Sequence, residues 1–369
     1  MEETGQNRWA HAPSKLTIDL SAVVTNYQLL TKMCTSAECA AVVKANAYGL
    51  GAAPIAKALD GAGCRTFFVA TLNEGIELRQ ITQHTIYVLN GISSEDANEY
   101  RAHTLRPVLN DIDQIDIWRR HSDDTPVPPA AIHIDTGMNR LGLSQTLLGR
   151  IGKWEKLYDG LEVSLLRSHL ACAAESYDAK NLEQLQSFHR FISTSRGIPA
   201  SLSASSGIFL GPDWHFDLVR PGFALYGGNP QPAAPNPLKP VVRLSAKILQ
   251  CRAVAKGETV GYGGRYKFDT DKRIATIAVG YADGFFRSLS NRGKVFMGEI
   301  PLPILGRVSM DLIAVDITGV DGVKASDWVD IVGPHQDVDA LAATAGTIGY
   351  EVLTALGQRH HREYVEDSA

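Results

Sequence analysis

Eight short apolar runs alternate with helical stretches through the first two-thirds of the chain, and this alternation constrains the fold more than any other feature. The runs cover residues 40–44, 66–70, 85–89, 105–109, 130–135, 162–169, 202–205 and 216–219. Each is about strand length, and several are rich in Val, Ile or Phe. Between them lie amphipathic stretches. Residues 52–63 (AAPIAKALDGAG) end in glycine, and residues 111–121 (DIDQIDIWRRH) are opened by Asn110 as an N-cap. Strands alternating with helices over roughly two hundred residues predict a (β/α)8 barrel. An open doubly wound sheet is the runner-up, but no GxGxxG follows the first strand.

The alternation stops at residues 228–240, GNPQPAAPNPLKP, where five of thirteen residues are proline. Proline is excluded from helix interiors and central strands, so this stretch reads as a connector. Beyond it, VVRLSAKILQCRAV, RIATIAV, KVFMG, LIAVDI and WVDIVG are β-rich and separated by Gly, Asp and Pro turns, with one late helix in DVDALAATAG. The expected organisation is a short mobile arm over 1–12, a barrel over 13–238, and a mostly-β domain over 239–369.

Composition narrows the function classes. Thirty-six basic against forty acidic side chains give a net charge of −4, which argues against a nucleic-acid footprint or a polybasic membrane patch. No apolar run approaches the roughly 18–20 residues of a membrane span, and the N-terminus lacks the apolar core of a signal peptide. The five cysteines are scattered, with no CxxC pair, so neither a disulfide framework nor a zinc site is expected and a reducing cytoplasm is the default.

In a barrel, chemistry collects where strands end and loops begin. Lys44 closes the run AVVK; an amine held near an apolar interior can lose its proton and form a Schiff base, although a lysine snorkelling at a barrel rim is the commoner case. Arg140, in DTGMNR after the fifth run, can hold a carboxylate bidentately or simply be solvated at a turn. His169 ends the sixth run, where a lone histidine is more often structural. Ser205, Ser206 and Gly207 follow the seventh and offer hydroxyls and amides to a phosphate. Arg220 and the amides of Gly222 and Phe223 follow the eighth. No triad order and no HExxH occurs. A strand-end lysine with a downstream phosphate cradle fits pyridoxal phosphate.

The motifs AVVKANAYGLG, HIDTGMNRLGL, VRPGFALYG, GYGGRY, VGYADGFFR and GRVSMDL, in this order, resemble the alanine racemases from about residue 13 to the C-terminus. That resemblance implies a barrel followed by a β-domain, a homodimer, pyridoxal 5'-phosphate as cofactor, no metal, and interconversion of L- and D-alanine. It implies that Lys44 is the Schiff-base lysine and the base on the D-alanine face, and that Tyr262 is the opposing base for L-alanine. Arg140 and the Met310 backbone match positions that hold the substrate carboxylate. Tyr48, Ser206, Gly222 and Phe223 match phosphate contacts, Arg220 matches the residue facing the pyridine nitrogen, and His169 matches the residue orienting the Tyr262 hydroxyl. Tyr281 and Asp311 are expected to support the site.

Three positions depart from the family pattern. A carbamylated lysine often stands seven residues before the motif arginine; here the position is His133, so Arg140 needs another brace. The Asn-Ser pair of the phosphate site reads Ser205-Ser206. A phosphate-binding tyrosine near the C-terminus falls at about Gln358, which is not assigned a role.

The implied chemistry is physically consistent. Racemisation takes a proton from one face of Cα and returns one to the other, so two acid/base groups are expected, each contributing about 10²–10⁴-fold. A tyrosine near pKa 10 is a poor base at neutral pH, so nearby charge must help it, with His169, tied in turn to Arg220, as the candidate. Guanidinium does not readily give up a proton. Arg220 therefore leaves the ring nitrogen unprotonated, which disfavours transamination. The rival readings are a broader-specificity racemase, a decarboxylase or aldolase on the same two domains, and a non-catalytic pyridoxal-phosphate carrier made of the barrel alone. The second domain and its motifs count against the last.

Overall fold

The computed structural model describes residues 9–366, apart from residues 35, 125, 152–156, 158, 194 and 196. Residues 1–8 of the expected arm therefore lie outside the described residues. The chain divides into two compact units, Val23–Lys239 and a second in which the residues up to Ala22 join those from Pro240 onward.

The first unit is a barrel of eight parallel staves. The first stave is split into Glu38–Cys39 and Ala41–Val42. The others are Thr66–Val69, Thr85–Val88, Arg106–Leu109, Ala130–His133, Val163–Arg167, Ala200–Ser201 and Leu218–Val219. Staves one to seven pair in sequence order. The last joins the seventh through Asp217 N to Ala200 O and Arg220 N to Ser203 O, and pairs in parallel with Glu38–Cys39, which closes the ring. Thr66–Val69 and Ala130–His133 are buried at every position. Both faces of a barrel stave are covered, so these strands read as continuous apolar runs rather than alternating ones.

Two local expectations are corrected. The seventh strand is Ala200–Ser201 rather than 202–205, because Ser205 already opens a short helix, Ser205–Ile208, and carries the backbone out of the sheet. The helix Ile112–Asp124 is capped by Asp111, whose Oδ1 accepts the Gln114 amide at 2.8 Å, and not by Asn110.

The second unit is built on an eight-stranded sheet of Ser14–Asp19, Val242–Val254, Lys272–Ile277, Lys294–Met297, Ile300–Leu305, Ile313–Asp316, Trp328–Val332 and His361–Val365. The barrel was expected to begin at residue 13, but Ser14–Asp19 belongs to this sheet. It lies antiparallel to Val242–Val254 and parallel to His361–Val365, and its Leu16 and Ile18 are fully buried. Strand pairing over a sequence separation this long leaves no local trace.

Ile300–Leu305 was missed because Pro301 and Pro303 argue against a strand. Ile304 N donates to Gly293 O, just before the neighbouring strand Lys294–Met297, so the two prolines point their missing donors the other way. There, pairing with Ile313–Asp316 starts only at Ile304. A second late helix, Gly349–Ala355, follows the expected one at Val338–Ala345. No helix among the described residues is long and apolar enough to cross a membrane.

Candidate active site

Lys44 follows the first stave, and the backbone after it takes an unusual course. Ala45, Asn46, Ala47 and Tyr48 all have φ between 52° and 55°, a full turn of left-handed helix without a glycine. Such a conformation costs about 1–2 kcal/mol per L-residue, so four residues store several kcal/mol. The turn is closed by Ala47 N to Val43 O (2.8 Å) and Gly49 N to Ala45 O (2.7 Å). Its consequence is that Lys44 and Tyr48 are presented from one short, stiff element.

The Lys44 amine is pushed below its ordinary range by burial, then by the positive charges of Arg140 and Arg167, with Glu74 opposing. Arg167 is a buried cation that the sequence reading passed over. It ends the sixth stave, pairs in register with His133, and its Nε is buried without a hydrogen-bond partner. Burial and Arg140 lower it to about 10. Its one sequence signal was a charge inside the apolar run EVSLLRSH.

His133 is also buried, and its tautomer is fixed by a neighbour. Asn110 Nδ2 donates to Leu89 O (3.1 Å) and Val108 O (2.9 Å), which leaves its Oδ1 as the acceptor 2.7 Å from His133 Nδ1. Nδ1 must then carry the proton, and Nε2 keeps its lone pair. Burial first, and then the charge of Arg167, hold this imidazole neutral. A neutral acceptor thus stands where the family pattern often has a carbamylated lysine.

Arg140 lies on the exposed loop that follows. The loop is folded onto the Asp135 carboxylate, which accepts from the amides of Gly137 (2.9 Å), Met138 (2.9 Å) and Asn139 (3.0 Å). Gln184 ties the same loop to the end of the sixth stave, donating to His169 O at 2.9 Å and to Thr136 Oγ1 at 3.2 Å. The His169 ring is held neutral by burial and by the cations around it, Arg167 first, and its Nδ1 is buried without a partner. The expected tie between His169 and Arg220 is not made ring to guanidinium. Arg220 instead donates to Ser168 O (2.7 Å), Leu202 O (3.2 Å) and Ser201 Oγ, all neutral oxygens.

The expected phosphate residues converge from three loops. Tyr48 Oη reaches so close to Gly222 that a Cβ there would lie 2.3 Å from it, which explains the glycine. Ser205 Oγ accepts from Gly222 N (3.0 Å) and Ala224 N (3.1 Å), fastening the loop of Gly222 and Phe223 to the short helix that carries Ser206. Ser205 is thus a buried brace, and Ser206 is left partly exposed.

The remaining candidates sit in the second unit. Tyr262 opens a tight turn, Tyr262–Gly264, and is 72% exposed. The turn packs on the Arg307 segment, as a Cβ at Gly261 would lie 3.5 Å from Arg307 N. Met310 is three residues farther on. Its carbonyl accepts the Ala282 amide at 3.0 Å, and Ser309 O accepts the Tyr281 amide at 3.1 Å, so Tyr281 and Met310 are locked side by side. Asp311 is paired with Arg359 Nη1 at 2.8 Å. The unit thereby presents Tyr262, Tyr281 and Met310 as exposed side chains.

Residues 18–230 match the family model for the alanine racemase N-terminal domain, and residues 241–364 match that for the C-terminal domain. The chain belongs to the alanine racemase family. An alanine racemase of Acidiphilium cryptum is 48% identical over 94% of this chain and 97% of its own length. A catabolic alanine racemase of Agrobacterium fabrum is 44% identical over 99% of this chain and 96% of its own. Among solved structures, the alanine racemase of Bartonella henselae with covalently bound pyridoxal phosphate superposes with a TM-score of 0.92 at 41% identity, covering 95% of this chain and 99% of that one. The biosynthetic enzyme of Pseudomonas aeruginosa gives 0.89 at 32% identity, covering 96% and 99%. The family's two-part architecture, barrel and mostly-β domain, is the one seen here.

Proposed function

We propose that the protein interconverts L- and D-alanine with pyridoxal 5'-phosphate, using Lys44 and Tyr262 as opposed bases. The observation that carries this reading is the half-buried Lys44 amine, held below its normal range and launched from a stiff turn that also carries Tyr48. The residues fit the cofactor. A Tyr48–Gly222 contact too tight for any side chain, together with the partly exposed Ser206, forms a cradle for a phosphate. The buried, unpartnered His169 Nδ1 and Arg167 Nε are atoms that a polar ligand would satisfy.

Bound pyridoxal phosphate supplies an aldehyde to Lys44 and an electron sink for charge developing at the substrate Cα. Lys44 holds the cofactor and moves the proton on the D-alanine face. The Tyr262 hydroxyl moves it on the L-alanine face. Arg140, with the Met310 backbone, holds the substrate carboxylate, which fixes the two faces of Cα relative to the bases. Tyr48, Ser206, Gly222 and Phe223 bind the phosphate. Arg220 faces the ring nitrogen. Its three hydrogen-bond partners are neutral oxygens and the charge acting on it, Arg167, is a second cation, so none of these groups favours a protonated nitrogen. That choice favours return of the proton to Cα over transfer elsewhere. His169 orients Tyr262, and Tyr281 and Asp311 support the substrate side.

The reading includes a cytoplasmic homodimer in which Tyr262 and Met310 of one chain serve the barrel of the other. The reaction is common to relatives named biosynthetic and catabolic, and it would serve either peptidoglycan supply or alanine breakdown. The test is to follow D/L interconversion over a panel of amino acids, with and without added cofactor. Alanine should racemise in both directions and lose that activity in Lys44→Ala. No racemisation of alanine at saturating cofactor would refute the reading.

A further inference from the structure

Glu74 lies outside every group assigned above, yet both of its carboxylate oxygens are committed next to Lys44. Oε1 accepts the Ala45 amide at 2.7 Å, and Oε2 accepts the amides of Ala70 at 2.7 Å and Thr71 at 3.2 Å. The Thr71 bond belongs to a capping box at the start of the helix Leu72–Arg79, where Thr71 Oγ1 accepts the Glu74 amide in return. The Ala45 bond does nothing for that helix. It satisfies the first amide of the left-handed turn, which no carbonyl inside a turn of this size can reach. One side chain therefore bolts the loop after the first barrel stave to the loop after the second. These two staves are adjacent and paired, Ala41 with Phe67 and Val42 with Phe68.

From this geometry we propose that Glu74 is the positioning residue for Lys44: its carboxylate clamps the left-handed turn and so aims the amine into the barrel. The proposal rests on the reading of Lys44 as the cofactor-bearing lysine. Four non-glycine residues at positive φ persist only where the surroundings over-determine them. Asn46 Oδ1 ties the turn forward by accepting the Ala52 amide at 2.8 Å, and Glu74 anchors its first amide from the loop after the neighbouring stave. Glutamine cannot replace it, because one amide oxygen cannot accept three N–H groups on two sides and its NH2 would face a donor. The carboxylate also acts on Lys44 through its charge, in the direction that favours the protonated amine, opposite to burial, Arg140 and Arg167. The mechanical and electrostatic roles thus predict opposite outcomes when the charge is removed.

The experiment compares the full-length protein with Glu74→Gln, Glu74→Ala and Thr71→Ala, the last removing the threonine half of the capping box while leaving the carboxylate. In the cofactor-free proteins, trace acetylation across pH, quantified on the Lys44 peptide by mass spectrometry, reads the midpoint of the amine directly. If Glu74 positions the turn, its loss frees Lys44 toward water. The midpoint then moves up toward that of an ordinary lysine in both Glu74 variants and stays put in Thr71→Ala. A downward shift would mean that only the charge was acting, and no shift would mean that Glu74 caps its helix and nothing more; either result overturns the proposal.

In the loaded proteins, the Glu74 variants should lose on the order of 100-fold in kcat, with KM for alanine changed by less than about threefold, while Thr71→Ala keeps both. Unchanged kcat would also overturn it. Borohydride reduction followed by peptide mapping separates this from a failure of the underlying reading. An adduct on another lysine refutes the role of Lys44, whereas an adduct on Lys44 with unaltered titration and kcat refutes only that of Glu74.

Discussion

Gly222→Ala is the sharpest test of the phosphate cradle, because its effect can be worked out from one distance. The new methyl would stand 2.3 Å from Tyr48 Oη and 2.9 Å from Cζ. An ordinary C···O contact is about 3.4 Å, so the hydroxyl must retreat by about 1 Å. Little permits that. Tyr48 is fixed in the left-handed turn, its ring lies 4.9 Å from that of Tyr226, and Tyr226 is itself bonded to Val42 O at 2.8 Å. Overpacking of this kind costs about 1–3 kcal/mol, which for a protein of this size lowers Tm by roughly 5 °C.

The displaced hydroxyl should also weaken cofactor binding by about 10–100-fold, equivalent to roughly 1.4–2.7 kcal/mol. Tryptophan-fluorescence titration with pyridoxal phosphate reads the affinity, and differential scanning fluorimetry of the cofactor-free protein reads the stability. Adding Tyr48→Phe removes the 2.3 Å contact but keeps the one at 2.9 Å to Cζ, so the double variant should regain part of the Tm while its affinity stays low. An unchanged Kd and Tm in Gly222→Ala, or no coupling between the two substitutions, would refute the reasoning.

Four further outcomes are expected. His133, His169 and His360 all have folded-state pKa values depressed below the usual 6.5, each chiefly by burial, so below that pH the unfolded chain binds more protons than the folded one. Stability of the cofactor-free protein should therefore be full above about pH 6.5 and fall on acidification, by up to about 1.4 kcal/mol per pH unit for each histidine; a melting temperature that holds or rises from pH 7 to 5 would contradict this. Asn110→Ala strips the His133 Nδ1 proton and the Leu89 and Val108 carbonyls of a partner, and should cost about 2–4 kcal/mol in urea unfolding. Arg79 binds the carbonyls of Thr82, His84, His103 and Thr104, so Arg79→Met should lower the unfolding free energy measured in urea by about 1–3 kcal/mol without changing kcat; a lowered kcat at full folding would show that the effect is not confined to stability. Finally, Lys44→Ala and Tyr262→Phe homodimers should each be nearly inactive, and the purified heterodimer should regain one working site; a heterodimer no more active than its parents would reject the shared site.

The sequence by itself determined the barrel. Its staves are buried on both faces, so hydrophobicity alone marks them: Thr66–Val69 and Ala130–His133 are apolar runs because no residue in them meets water. The connector was equally legible, since proline acts through its own backbone. The candidate residues at stave ends were legible in type and order, as strand-end position is a local property.

What only the tertiary structure decided were the partnerships made between distant segments. Ser14–Asp19 lies in the second unit's sheet because its partners, Val242–Val254 and His361–Val365, are more than two hundred residues away in sequence. Asn110 read as a helix cap, yet it is the group that sets the proton on His133. Arg167 and Glu74 passed unremarked, one within an apolar run and one within a capping box, where each residue type has an ordinary local explanation. The left-handed turn after Lys44 is spelled Ala-Asn-Ala-Tyr, which carries no glycine to announce positive φ. Backbone propensity would have refused that conformation; a carboxylate thirty residues downstream holds it, because the free energy of a fold is summed over contacts that the sequence order does not show.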